Sequence, residues 1–121
     1  MLEVFDLPAS IAFYRDVVGF ELVSGDDSWW CMLKLGEATL MLNTAYEKDQ
    51  RPPVPDPARV RGHGDAELYF GTPDPDAVYA QFQEKGWPAK EPKNMHCGMR
   101  QVSTKDPDGF RLHFICPVES K

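Results

Sequence analysis

Apolar and polar residues follow two periodicities along this chain, helical spacing and strand alternation, and both occur twice in the same order. Residues 6–20 (DLPASIAFYRDVVGF) and 74–87 (DPDAVYAQFQEKGW) share one pattern. Each begins with Asp, has Pro within two residues, continues with an apolar stripe at helical spacing and ends in Gly and an aromatic residue. Asp is a favoured helix N-cap, Pro fits the first turn and Gly commonly ends a helix. Two helices are predicted, one in each copy of a repeated unit.

Alternating patterns around these helices predict short strands. They cover residues 1–5, 20–24, 29–35 and 38–43 in the first half, and 66–71, 100–104 and 110–116 in the second, with a short edge strand near Ala89. The DPDG of residues 106–109 is a strong turn sequence between two strands. Each half therefore has the predicted order β-α-β-β-β. The predicted fold class is α+β, built from two tandem βαβββ modules.

We divide the chain into a first module (residues 1–43), a linker (44–65) and a second module (66–121), within one compact domain. The linker contains RPPVPDP at residues 51–57, and its prolines cannot join a sheet ladder. Two interpretations remain open for it, a surface crossover or a functional loop over a cleft. A duplicated module can form a cleft between its halves, and small molecules bind preferentially in such places.

Composition excludes some partners. The 121 residues carry a formal net charge of −6, which argues against nucleic-acid binding. Apolar runs are too short for a membrane span, and acidic residues at positions 3 and 6 argue against a signal peptide. Three cysteines, an odd number, have apolar neighbours at Cys31 and Cys116 and indicate buried thiols in a reducing cytoplasm. We expect neither nucleic acid nor membrane as a partner.

The repeat and its particular segments resemble the vicinal oxygen chelate superfamily, which includes glyoxalase I, bleomycin-resistance proteins and extradiol dioxygenases. The segments are DLPASIAFYRDVVGF (6–20), GEATLMLN (36–43), the helix at 74–86 and GMRQVSTKDPDGFRLHF (98–114). The resemblance implies curved mixed sheets that enclose a cavity. It also implies a homodimer, often with modules paired across chains.

In the metalloenzymes of this superfamily, four cavity-facing residues bind a metal. The resemblance places the first before Met1 and the others at Met41, Glu67 and His113. A thioether is a poor ligand for hard divalent ions, and two remaining ligands are fewer than a catalytic site needs. We therefore expect no cofactor, with Glu67 and His113 as weak candidates for a divalent metal.

Other residues leave alternatives open. A metal ligand could come from a partner chain, from His63, which we expect to be solvated, or from His96, on a loop that could fold over the cavity. Cys97, next to His96, is a weaker candidate for a nucleophile.

Strand parity predicts which side chains face the cavity. Asn43 lies on the same strand face as Met41. Tyr69 likewise shares the face of Glu67, and Arg111 shares the face of His113. Parity leaves both faces of 29–35 open. We choose Trp30 and Met32 because Trp29, Cys31, Leu33 and Leu35 are typical of helix-packing core. Arg100 either holds an anionic group or is a solvated edge residue. The candidate ligand-binding residues are Trp30, Met32, Met41, Asn43, Glu67, Tyr69, Arg100, Arg111 and His113.

Glu67 and His113 are expected to lie near each other, where a carboxylate can orient an imidazole. One interpretation is an ion pair that fills the place of a metal. The other is a pair of polar handles in an apolar binding pocket.

Three functions follow as hypotheses. The first is a metal-independent binding protein of the bleomycin-resistance type, holding a small aromatic or cationic molecule. The second is a metal-dependent lyase, isomerase or dioxygenase of the same superfamily. The third is a non-enzymatic interaction domain with a degenerate cavity. The sequence leaves open whether the protein is an enzyme.

Overall fold

The computed structural model describes residues 1–46, 50–95 and 98–118. In the first half, the elements are β1 (Leu2–Val4), α1 (Leu7–Ala12), a π-helical segment (Phe13–Val18), β2 (Glu21–Gly25), β3 (Trp30–Leu35) and β4 (Ala38–Thr44). In the second half, they are α2 (Pro57–His63), β5 (Glu67–Gly71), α3 (Pro75–Glu84), β6 (Lys93–Asn94), β7 (Met99–Lys105) and β8 (Arg111–Pro117).

The strands form two four-stranded sheets of identical topology. Their orders are β1-β4-β3-β2 and β5-β8-β7-β6. In each sheet the first strand is parallel to the last, while the other neighbours are antiparallel. The predicted α+β class with two βαβββ modules is confirmed, and the two sheets are not closed on each other. Near Ala89, where an edge strand was expected, the chain makes a single bridge to Thr104, and β6 follows four residues later.

Helix starts have the predicted local chemistry. The Asp6 and Asp74 carboxylates accept backbone N–H bonds from Ala9 and Ala77, each at 3.2 Å. The first helix ends differently from the second, because its last six residues are π-helical. The N–H groups of Gly19 and Phe20 both reach the Tyr14 carbonyl, at 3.0 and 2.8 Å, and Gly19 has a φ of 105°.

One hydrophobic core joins the modules. Phe20 of the first module meets Phe70 of the second edge-on, with ring centroids 5.4 Å apart, and Phe13 packs on Trp87 at 4.5 Å. The helix-facing sides of both sheets supply the rest, including the fully buried Leu33, Leu42, Leu112 and Phe114. Burial of large apolar side chains from both halves in one core makes the modules depend on each other for stability.

A buried polar joint also connects the modules. The Tyr14 hydroxyl donates to Asp106 Oδ2 at 2.6 Å, and the Ser10 hydroxyl donates to Asp108 Oδ2 at 3.3 Å. Both aspartates belong to the DPDG turn and are 4% exposed. Burial raises the pKa of Asp106 to about 6, although the bonds from Tyr14 and Phe110 oppose the rise. Burial also raises the pKa of the Tyr14 hydroxyl, and its contact with Asp106 raises it further.

The interval expected to be an irregular linker contains helix α2, which packs against the DPDG turn. His63 Nδ1 lies 2.7 Å from the Asp108 carbonyl oxygen, and the imidazole stacks on Phe110 with centroids 4.0 Å apart. His63 is therefore half-buried rather than solvated as expected. At the start of the helix, Arg59 pairs with Glu3 at 3.2 Å, so α2 contacts both halves of the chain.

Several side chains differ from their expected surroundings. Trp29 precedes β3 and is 65% exposed, so it does not belong to the helix-packing core with Cys31 and Leu33. Cys31 is buried, whereas Cys116 is only half-buried. His96 and Cys97 lie outside the described residues. Among the described residues, no helix has the length and apolarity that crossing a bilayer requires.

Candidate functional site

The first candidate face is the outer side of the β3–β4 pair. Trp30 lies opposite Asn43 and Met32 opposite Met41. The alternate residues of the same strands, among them Leu33 and Leu42, are buried against the helices. Met41 is 37% exposed, so this apolar and amide-bearing face is open in the single chain. The predicted parity of these strands is confirmed.

The second candidate face is the outer side of the β5–β8–β7 strands. Tyr69 and Ser103 flank His113 on its two sides, and Glu67 lies opposite Arg111. Residues Leu112 and Phe114 point to the core. Parity of β5 and β8 therefore holds as predicted, and the sheet brings four candidate side chains together: Glu67, Tyr69, Arg111 and His113.

His113 is the centre of this second face and is 8% exposed. Its Nε2 lies 2.9 Å from Glu67 Oε1, and its Nδ1 lies 2.7 Å from Ser103 Oγ. An ionised carboxylate can only accept, so in the neutral form of the imidazole the proton lies on Nε2. Nδ1 then accepts from the Ser103 hydroxyl. Both ring nitrogens of a buried imidazole thus have partners, as burial of a polar group requires.

Two further contacts shape the face. Arg111 donates to Glu67 Oε1 at 3.2 Å, so the carboxylate is shared between a guanidinium and an imidazole. The Tyr69 ring stacks on His113 with centroids 4.5 Å apart and an interplanar angle of 23°. Tyr69 is 55% exposed, so one side of its ring covers the imidazole and much of the rest is open to a ligand.

Ser103 and Gln101 are members of this face that sequence reasoning missed. The Gln101 amide donates to Ser103 Oγ at 3.0 Å and lies 3.2 Å from His113 Nδ1. A signal for Ser103 was present, because the DPDG turn joins β7 and β8 and counting outward from it pairs Ser103 with His113.

Arg100 is not part of this face. It pairs with Cys116 on β8, one position out of phase with Gln101 and Ser103, and so points to the helix side of the sheet. Its guanidinium binds Asp76 of α3 through two bonds of 2.7 Å and Asn94 through one of 2.9 Å. The bonds from Arg100 lower the pKa of Asp76. In this structure the anionic partner of Arg100 is Asp76, and the hypothesis that Arg100 holds an anionic group of a ligand stays a prediction.

The candidate residues form two groups rather than one. In the parts of the chain that the structure describes, no side-chain hydrogen bond or ion pair links Trp30, Met32, Met41 or Asn43 to the face of His113. Between the modules lies a different feature, an open groove of about 750 Å³ lined by Val18, Leu35, Val78 and Phe114 among others. None of the nine predicted ligand-binding residues lines this groove.

A metal ion fits the second face poorly. Glu67 and His113 are ligand types, but the Arg111 guanidinium already occupies Glu67 with a positive charge. Met41, at the remaining position within the chain, lies on the other sheet. Among residues 1–46, 50–95 and 98–118, no three His, Cys, Asp or Glu side chains cluster as metal ligands would. Within the described residues, this face of one chain therefore offers two such ligands, fewer than the three of a typical catalytic site.

The fold agrees with comparisons to known proteins. The chain belongs to the Glyoxalase/Bleomycin resistance protein/Dioxygenase superfamily, whose sequence model matches residues 1–114. A comparison with curated proteins gave no match.

Several solved structures are similar to nearly the whole chain. TnmS3, an antibiotic binding protein from Streptomyces sp. CB03234, is 28% identical with a TM-score of 0.72, over 96% of this chain and 90% of that one. A lactoylglutathione lyase from Agrobacterium tumefaciens is 25% identical with a TM-score of 0.69, over 95% and 87%. A bleomycin-binding protein solved with bleomycin is 23% identical with a TM-score of 0.69, over 98% and 94%, and shares the fold.

Proposed function

We propose that this protein binds a small aromatic or cationic molecule, without a metal, on the face formed by Glu67, Tyr69 and His113. One observation carries the proposal: Tyr69 is 55% exposed, although it lies directly on a buried and fully bonded imidazole. A rigid aromatic ring held in place with one open side is a stacking surface for a planar ligand.

The charges of the protein favour a cationic ligand. The Glu67 side chain is 39% exposed at the edge of the stacking surface, although Arg111 already pairs with its Oε1, and the chain as a whole carries a net charge of −6. A cation above an aromatic ring and near a carboxylate gains from both. The likeness to TnmS3, which binds an antibiotic, supports a small-molecule ligand.

We also propose that two chains complete the site. Each chain presents two open faces, one with Trp30, Met32 and Met41 and one with Tyr69 and His113. In a homodimer that opposes the first face of one chain to the second face of its partner, both faces are covered and a cavity lies between them. The free thiols of Cys31 and Cys116 fit our proposal that the protein works in the reducing cytoplasm.

Ligand binding can be tested by titrating a panel of planar cationic, neutral and anionic aromatic compounds while following tryptophan fluorescence and heat. We expect saturable binding of cationic members and at least ~10-fold weaker binding to Tyr69→Ala. Trp30→Phe should remove most of the fluorescence response, whereas Trp29→Phe, at an exposed position outside the strand, is the matched control and should keep it. Equal affinity of Tyr69→Ala and the unchanged protein would refute the proposed surface.

The two-chain arrangement has its own test. Sedimentation should give a dimer, and Trp30→Ala and Tyr69→Ala proteins should each bind ligand weakly. After the two variants are unfolded together and refolded as a mixture, statistical pairing puts about a quarter of the sites between two unaltered faces. Recovery of that fraction supports sites shared between chains. No recovery from correctly folded mixed dimers would place each site within one chain.

One observation favours the alternative of a metal-dependent lyase, isomerase or dioxygenase, namely the 2.9 Å contact between Glu67 and His113. That enzyme needs a third ligand from beyond the described residues or from a second chain. Metal analysis of purified protein and thermal melts with zinc, manganese, nickel and iron(II) separate the two functions. We expect no stoichiometric metal and no shift in Tm. Stoichiometric metal, or a Tm raised by one of the ions, would instead favour the metalloenzyme.

A further inference from the structure

Three side chains on the second sheet form a continuous hydrogen-bonded line. Ser103 Oγ lies 2.7 Å from His113 Nδ1, and His113 Nε2 lies 2.9 Å from Glu67 Oε1. They come from three strands, β7, β8 and β5, which are hydrogen-bonded neighbours in the sheet. Regular backbone on every side therefore holds the hydroxyl, the imidazole and the carboxylate in place.

The imidazole lies between the carboxylate and the hydroxyl, in contact with both. When the carboxylate accepts the hydrogen bond from Nε2–H, the lone pair of Nδ1 points at the Ser103 hydroxyl and can accept its proton. This is the order of roles in a serine hydrolase, in which a carboxylate orients an imidazole and the imidazole acts as base toward the serine. Here Nδ1 contacts the serine and Nε2 contacts the carboxylate, the reverse of the usual triad. The imidazole can still act as base toward the hydroxyl.

We propose that Ser103 is a nucleophile and that this face transfers acyl groups from activated esters with an aromatic part. Ser103 Oγ bonds to the ester carbonyl carbon as its proton passes to His113 Nδ1. The tetrahedral adduct then collapses, the ester C–O bond breaks, and the leaving alcohol takes that proton. Water next attacks the acyl-serine with His113 again as base, releasing a carboxylic acid and restoring the hydroxyl.

The neighbours of Ser103 suit this class of substrate. The Gln101 amide nitrogen lies 3.0 Å from Ser103 Oγ and 3.2 Å from His113 Nδ1, so it is a donor beside the nucleophile that can turn to stabilise the developing oxyanion. The exposed ring of Tyr69 provides a stacking surface for an aromatic acyl or leaving group. Glu67 is a positioning residue, because it acts on the serine through the imidazole, and Arg111 holds Glu67 in turn.

The proposal is tested with a fluorophosphonate probe and with p-nitrophenyl acetate. Intact-mass analysis of the wild-type protein should show one added phosphonyl group, and peptide mapping should place it on Ser103. Nitrophenol release should show an initial burst near one equivalent. Mapping uses the unaltered protein, so it does not depend on any variant folding. No label under conditions that modify a known serine hydrolase, or label only on other residues, would overturn the proposal.

Variants distinguish activation of the Ser103 hydroxyl by its neighbours from simple solvent exposure of a serine. In Ser103→Ala the rate of the initial nitrophenol burst should fall by at least ~100-fold. Ser24→Ala, at an exposed serine of β2, is the matched control and should keep the wild-type burst. Glu67→Gln should lower the acylation rate constant at saturating ester by ~10-fold or more, with little change in the half-saturating concentration. An unchanged rate constant in Glu67→Gln would refute the role of the carboxylate. The labelling experiment contains no planar cationic ligand, whereas the binding titration contains no ester or phosphonate. A failure of the nucleophile proposal can therefore be distinguished from a failure of the proposed binding function.

Discussion

A single carboxyl at the joint between the modules links the stability of this protein to pH. Asp106 is 4% exposed and holds the Tyr14 hydroxyl at 2.6 Å. Its desolvation outweighs its hydrogen bonds, so its pKa rises from 3.8 in the unfolded chain to about 6 in the folded one. A carboxyl with a raised pKa favours the folded state while it is protonated. That contribution is present below pH 3.8 and is lost as the pH rises through about 6.

We predict that Asp106→Asn removes this pH dependence. An amide has the shape of the protonated carboxyl, so the variant should lack the loss of roughly 2 kcal/mol that ionisation of Asp106 causes between pH 4 and 7. Urea unfolding across this range measures it, with Asp27→Asn, in an exposed turn, as the control. Parallel stability curves for the wild type and Asp106→Asn would contradict the prediction.

Sequence reasoning worked at the residue scale where a side chain acts on its own neighbourhood. Asp6 and Asp74 were predicted as N-caps and accept the expected N–H bonds. It failed for His63, which stacks on Phe110 of the distant turn. A Gly-flanked histidine gives no local sign of a partner so far along the chain.

At the scale of elements, the repeated unit explains how each helix begins and where it lies. Helix α3 starts at the Asp74 cap and Pro75, buries Phe82 and reaches the first helix through Gln81, whose amide donates to the Val17 carbonyl at 2.7 Å. Local capping and long-range packing thus act on the same short helix.

We predict that Asp74→Ala lowers the free energy of unfolding by about 1 kcal/mol, because it leaves a helical N–H without its acceptor. Asp76→Ala is the matched control in the same first turn. It removes an exposed ion pair with Arg100 and an acidic charge in the first turn of α3, and should cost less than Asp74→Ala. Chemical denaturation of both variants measures the difference. A larger loss in Asp76→Ala would mean that the α3–β7 ion pair outweighs the cap.

Strand existence and parity could be predicted, whereas strand contacts could be predicted only in part. The outward positions Met41, Glu67, Tyr69 and His113 follow from alternation with buried leucines and phenylalanines. The bond from Ser103 to His113 depends on cross-strand register, which parity alone does not specify. The π-helical end of the first helix had no signal that we recognised.

At the scale of the whole molecule, the modules unfold as one unit if their shared core governs stability. Phe13 packs on Trp87, Phe20 meets Phe70, and Tyr14 bonds to Asp106 across the module boundary. Either module alone would expose these apolar rings and leave buried polar atoms without partners.

We therefore predict a single cooperative transition, with tryptophan fluorescence and far-ultraviolet circular dichroism giving the same midpoint. Tyr14→Phe should lower that midpoint for both signals together, by a loss of about 1–3 kcal/mol, since it takes one donor from the buried Asp106. Two separated transitions in either protein would show that the modules are stable independently.

By itself, the sequence determined the repeated βαβββ order, the helix starts, the DPDG turn and the outward parity of the strands. All of these depend on interactions among residues a few positions apart, so the pattern contains the information. Only the tertiary structure decided that Arg100 is bound to Asp76, that His63 packs under the second module and that the candidate ligand residues divide between two open sheets. Those outcomes depend on which distant surfaces meet when apolar area is buried, and no local pattern specifies them.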